Sequence, residues 1–159
     1  MKVLFSAAVL VFFSTGGAAI ACPDFNASAG EAYRASGREL HETIAFNVRA
    51  GGNNYIWNCS NVKPGTDTGA GYFPTAPDFS FQLSGMSGYR LDLWVVSDCD
   101  SALLINTSSA SWYYDDDDNG NLDPKIVLTR PVDGRIDVWI GTFDGTYCDA
   151  QLQLETFEK

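Results

Sequence analysis

Apolar and polar side chains alternate with a period of two along much of the chain. Ile44, Phe46 and Val48 are separated by polar or small residues, as are Phe79, Phe81 and Leu83, then Leu91, Leu93 and Val95. Successive side chains of an extended backbone point to opposite faces, so each run predicts a strand with one buried face. Further strands are expected at 102–106, 111–114, 125–129, 135–140 and 150–156, and no stretch offers a long helical stripe. Glycine-containing corners at 51–54, 85–88, 133–134 and 144–145 supply the positive-φ positions that tight hairpins need. The pattern predicts an all-β fold, an antiparallel β-sandwich of jelly-roll type. Segment 60–77 collects Gly, Thr and Pro without alternation and is expected to be a long surface loop or a crossover between sheets.

The N-terminus breaks this pattern. Lys2 precedes an apolar run from Val3 to Phe13, then a stretch of small residues ending Ala19-Ile20-Ala21. The run is too short to span a bilayer, and its small-x-small ending fits signal-peptide cleavage before Cys22. A lipidated Cys22 is the competing reading, but Ala19 stands where a lipobox carries Leu. The rest, 22–159, has the size of one domain, and its location is expected to be secreted or periplasmic. The chain holds 20 acidic against 10 basic side chains, for a net charge of −10, which repels nucleic acid and anionic lipid and attracts divalent cations. No other segment is apolar for long enough to span a membrane.

Cys22, Cys59, Cys99 and Cys148 all follow the cleavage point, and an even count in an exported chain predicts two disulfides. Three connectivities are open. Cys22–Cys59 with Cys99–Cys148 is preferred because each pair encloses one half of the exported chain.

The densest chemistry lies at 115–123, Asp-Asp-Asp-Asp-Asn-Gly-Asn-Leu-Asp. Counted from Asp115, its spacing follows a calcium loop: side-chain oxygens at Asp115, Asp117 and Asn119, a bend at Gly120, a backbone carbonyl at Asn121 and a ninth-position Asp123. The twelfth position is Ile126 where an EF-hand carries Glu, and both flanks look like strands, so an EF-hand is excluded. What remains is an acidic hairpin whose repulsion is relieved by Ca2+ or, in the plainer alternative, by water alone. Asp98, Asp100, Asp133 or Asp144 would complete a shell from neighbouring loops.

Two runs near-repeat each other, Arg90-Leu91-Asp92-Leu93-Trp94-Val95 and Arg135-Ile136-Asp137-Val138-Trp139-Ile140. Alternation puts Arg90, Asp92, Trp94 and Arg135, Asp137, Trp139 on the polar side of their strands. On neighbouring strands they would make an exposed face suited to stacking and hydrogen-bonding a glycan. The plainer alternative pairs each Arg with an Asp and covers each Trp by packing. Trp57, Trp112, Tyr113 and Tyr114 are expected in core or hairpin packing.

The order Cys99-Asp100-Ser101-Ala102-Leu103-Leu104-Ile105, Tyr114-Asp115-Asp116-Asp117, Leu122-Asp123-Pro124-Lys125-Ile126 and Pro131-Val132-Asp133-Gly134-Arg135-Ile136-Asp137-Val138 resembles the bacterial pre-peptidase C-terminal domain over about 79–141. The resemblance implies a jelly-roll sandwich, non-catalytic, in some members calcium-binding, and usually appended to a secreted peptidase; here a stand-alone domain is expected. A secreted hydrolase is the remaining alternative. His41 is the lone histidine, however, no serine elbow accompanies it, and the cysteines are assigned to bridges, so no catalytic residues are expected. The expected partner is a glycan or a secreted protein.

Overall fold

The computed structural model describes residues 22–159; the expected signal peptide lies outside the described residues. The strands are β1 (Glu31–Ser36), β2 (Ile44–Ala50), β3 (Asn54–Tyr55), β4 (Tyr72–Phe73), β5 (Phe79–Ser84), β6 (Tyr89–Ser97), β7 (Ser101–Asn106), β8 (Trp112–Asp115), β9 (Lys125–Leu128), β10 (Gly134–Thr142) and β11 (Cys148–Glu158). Short 3-10 turns occupy Glu39–His41 and Ile56–Asn58. No described helix is long and apolar enough to cross a membrane.

One sheet runs β1-β5-β10-β7-β8, with β4 and then β3 added where β10 passes beyond β5; the other runs β2-β11-β6-β9. Setting aside β1, β3 and β4, each sheet keeps four strands, interleaved along the chain as in a jelly roll. This is the expected sandwich with one departure: β1 pairs with β5 in parallel. Its burial pattern carries no clean alternation, which is why it escapes a periodicity reading.

The interleaving gives the turn residues a different job from the expected one. Gly85 and Gly88, both at positive φ, lie between β5 and β6, which belong to opposite sheets, and Gly145 lies between β10 and β11, which do as well. These glycines turn sheet-crossing corners. Of the eight jelly-roll strands, only β7 and β8 are consecutive hydrogen-bonded neighbours.

Between the sheets, Phe79, Phe81 and Leu83 of β5 and Ile136, Val138 and Ile140 of β10 meet Leu91, Leu93 and Val95 of β6 and Leu152 and Leu154 of β11. Phe46 and Tyr33 close one side, their rings 4.6 Å apart. A second core lies on the opposite face of the first sheet, where Ile56, Val62 and Phe73 from segment 51–77 cover Leu104, Trp112, Tyr114 and Trp139. Segment 60–77 is therefore a covering layer that contains β4, and Phe73 within it is fully buried. Every residue of β7 is buried as a result, a pattern typical of sheets covered on both faces.

The disulfides are Cys22–Cys59, which ties the N-terminal segment to this layer, and Cys99–Cys148, which ties the β6–β7 loop to the start of β11. With sequence separations of 37 and 49, each contributes about 4 kcal/mol on the chain-entropy view.

Trp139 has no exposed surface, packs 5.2 Å from the Trp112 ring, and donates its indole N–H to the Thr75 carbonyl at 3.3 Å. Trp139→Ala is expected to cost about 3–5 kcal/mol in urea unfolding. A cost near zero would mean that segment 51–77 does not cover the sheet.

Candidate functional site

β8 ends in the first sheet and β9 begins in the second, so the acidic segment is a sheet-crossing loop at one end of the sandwich, not a hairpin. Asp115 anchors it. Its Oδ2 accepts the backbone N–H of Lys125 at 2.6 Å and of Asp118 at 3.1 Å, leaving the side chain 4% exposed. Gly120, Asn121 and Leu122 then follow one another at φ of 76°, 55° and 61°. Glycine tolerates this left-handed region at no steric cost, whereas leucine enters it only where the surroundings hold it.

This winding turns Asp123 inward, where its Oδ1 accepts the hydroxyls of Ser97 at 2.8 Å and Ser101 at 3.1 Å. Asn119 uses its amide to donate to the Val95 carbonyl at 3.2 Å. The five donors read from the sequence therefore do not form one set. Asp115 and Asp117 come together and are joined by Asp118, with one carboxylate oxygen of each within 4.8 Å of the others. Asp123 and Asn119 brace the loop, and Asn121 sits on its exposed crest. Asp118 escaped the sequence reading because an EF-hand count skips the fourth position, and that count assumes flanking helices which strands replace here.

The carboxylates at this end feel one another. Burial pushes Asp115 up to about 6, and the charges of Asp118 and Asp116 add to the rise against its two N–H donors. Burial raises Asp116 too, joined by the charges of Asp117, Asp67 and Asp100 and opposed by the Tyr114 hydroxyl. Asp100 is raised by burial and then by Asp144 and Asp117, which places the β6–β7 and β10–β11 loops at the same acidic end. Asp133 lies beyond the other end of β10, where it accepts the Met86 N–H at 2.8 Å. Asp98 is exposed.

The proposed Arg/Asp/Trp face does not form. Trp94 is half-buried on the second sheet with Lys125 Nζ 5.7 Å from its ring centre, while Trp139 is enclosed under the covering layer of the first sheet. Each Arg instead neutralises the Asp two residues on. Arg90 grips Asp92 through two bonds of 2.7 and 3.1 Å, with Lys125 at 3.0 Å, and Arg135 holds Asp137 at 2.8 Å beside the Ser80 hydroxyl. Trp112 and Tyr114 are core residues as expected. Trp57 is not: it is 60% exposed. His41 lies exposed at the end of a 3-10 turn.

No protein-family model and no curated protein matches the chain. Among solved structures it is similar to PliG of Aeromonas hydrophila, described as a periplasmic inhibitor of g-type lysozyme, with a TM-score of 0.43 and 8% identity over 80% of this chain and 98% of that one. A mutant of the Escherichia coli PliG gives a TM-score of 0.43 and 8% identity over 81% of this chain and all of that one. At these values the likeness decides nothing about the site, which rests on its own residues.

A second buried carboxylate lies outside the acidic end. Asp78, just before β5, accepts the Ile140 N–H at 2.7 Å, where β10 has run past its last partner in β5. Burial pushes it up to about 7. Asp78 and Asp115 both hold protons more tightly folded than unfolded, where carboxylates titrate near about 4. Their linkage therefore stabilises the fold as pH falls through 7 and 6, and that gain is lost as pH rises again. Below about 4 the trend reverses, because Glu39, Asp133 and Asp144 are held low by hydrogen bonds in the fold and lose them on protonation. In chelator, unfolding free energy is expected to be higher at pH 5 than at pH 8 by on the order of 2 kcal/mol. Asp78→Asn, which keeps an acceptor for Ile140, should remove much of the difference; stability climbing steadily from pH 5 to 8 would contradict this.

Proposed function

We propose that the chain is an exported, non-catalytic binding protein that carries a calcium ion at its acidic end. The observation that carries this reading is the meeting of Asp115, Asp117 and Asp118 within 4.8 Å. Oxygens sharing one calcium stand at most about 5 Å apart, twice a Ca–O distance of 2.3–2.6 Å. The donor set is all hard oxygen, and Asp100 of a neighbouring loop is close enough to feel Asp117. Calcium accepts irregular shells of this kind, whereas magnesium demands a near-ideal octahedron.

Export is supported by the N-terminal signal pattern and by two disulfides, which persist in oxidising compartments. A binding role is supported by the state of the residues that cysteine- or histidine-based catalysis would use. All four cysteines are bridged, and the lone histidine sits exposed at the end of a 3-10 turn. The resemblance to the pre-peptidase C-terminal domain fits the same reading through its acidic run after the strand that is β8 here.

At about 5 mM calcium, a weak extracellular site should raise the melting temperature by roughly 2–6 °C over chelator. Asp117→Asn combined with Asp118→Asn should abolish the shift and, by relieving repulsion, raise stability in chelator. Equal melting temperatures in calcium and chelator would remove the ion from this reading.

A further inference from the structure

Trp57 stands on the rim of a concave apolar groove of about 260 Å³, lined with Ile56, Val62, Pro64, Thr68 and Gly69. Ile56 and Val62 form its floor and belong to the second core, 7% exposed each. The walls are fixed by backbone bonds from Cys59 to Ile56 at 2.9 Å, Val62 to Cys59 at 3.1 Å and Gly65 to Trp112 at 3.3 Å, with the Cys22–Cys59 bridge tying down the same turn. A groove so braced loses little freedom when something enters it. An exposed tryptophan beside a preformed apolar hollow has the make-up of a binding hot spot.

The groove shares a wall with the acidic end. A Cβ on Gly69 would collide with the Tyr114 ring and hydroxyl, so the glycine backbone rests directly on that ring, and the hydroxyl donates to the Ala70 carbonyl. Asp115 and Asp116 follow Tyr114. From the loop side Asp67, next to Thr68 of the wall, is close enough to act on both Tyr114 and Asp116. Among the described residues Lys63 is the one cation in the lining, against Asp67 and Asp116 beside Tyr114.

We propose that this groove docks a basic polypeptide segment, its apolar side chain seated against Trp57 and its lysine or arginine side chains facing Asp67 and Asp116. This rests on the reading of the chain as a binding protein and does not require calcium. Charge complementarity selects the occupant. A second copy of this chain would bring a like-charged rim against this one, and a neutral glycan would leave the charge of Asp67 and Asp116 unanswered.

The test uses the chain from Cys22 onward, isotope-labelled, and follows the Trp57 indole and Gly69 amide by NMR, in calcium and in chelator. The probes are four capped hexapeptides and cellohexaose. One peptide has two leucines between pairs of lysines; the others replace the lysines by glutamates, the lysines by serines, or the leucines by serines. The first peptide should give saturable shifts at Trp57 and Gly69, bind at least about fivefold tighter than the others, and weaken about tenfold between 50 and 500 mM salt. Trp57→Ala and, independently, Thr68→Lys should each cost at least about fivefold, with circular dichroism confirming the fold. No shift, equal binding by the serine-flanked or glutamate peptide, preference for cellohexaose, or concentration-dependent self-association through Trp57 would overturn the proposal. A calcium-dependent melt with no peptide shift also overturns it, while leaving the cation reading standing.

Discussion

From Ile136 onward β10 is buried on both faces, and most of the molecule follows from that. Toward the second sheet it sends Ile136, Val138 and Ile140 into the main core; on the other side it sends Trp139 into a second core. A strand that buries aliphatic residues on one face and a tryptophan on the other needs two covers. The second sheet is one, and segment 51–77 is the other. The second cover has little secondary structure of its own, which is why Cys22–Cys59 and the short β3–β4 ladder matter to it. The Trp57 groove is the outer surface of this cover. Tyr114, buried beneath it, fixes where β8 ends and therefore where the acidic loop begins.

At that end, stability and chemistry pull against each other. Asp115 is held by two backbone donors that also order the loop, so it cannot swing into water to escape its neighbours. Asp117 and Asp118 are carried close to it by the same turn, and Asp100 by the loop that Cys99–Cys148 tethers. The charges of Asp118 and Asp116 add to the proton affinity that burial gives Asp115, and a cation would take the proton's place. Elsewhere Asp92 and Asp137 are neutralised by their own arginines, which leaves those strands little to offer a ligand.

The eight jelly-roll strands were legible because alternation is a local signal, while β1, β3 and β4 were not, and the cysteine pairing preferred among three open connectivities is the one that forms. What alternation cannot report is what lies over a face. Arg135, Asp137 and Trp139 do point away from the main core, as the period of two requires, but the cover over Trp139 comes from residues more than sixty positions earlier. Turn glycines were legible as turns and illegible as sheet-crossing corners, since positive φ serves both. In the acidic loop, three consecutive left-handed residues redirect the side chains, so Asp123 faces Ser97 and Ser101 and Asp118 takes its place beside Asp115 and Asp117. Trp57 gave no signal at all, because an exposed tryptophan and a buried one read alike in sequence.

The most direct check is a crystal structure of residues 22–159 grown with calcium, with a lanthanide-soaked crystal to mark the ion by anomalous scattering. The expected result is one ion touching oxygens of Asp115, Asp117 and Asp118 at about 2.3–2.6 Å, with Asp123 still turned toward Ser97 and Ser101. Carboxylates splayed into solvent with no anomalous peak among them would contradict it.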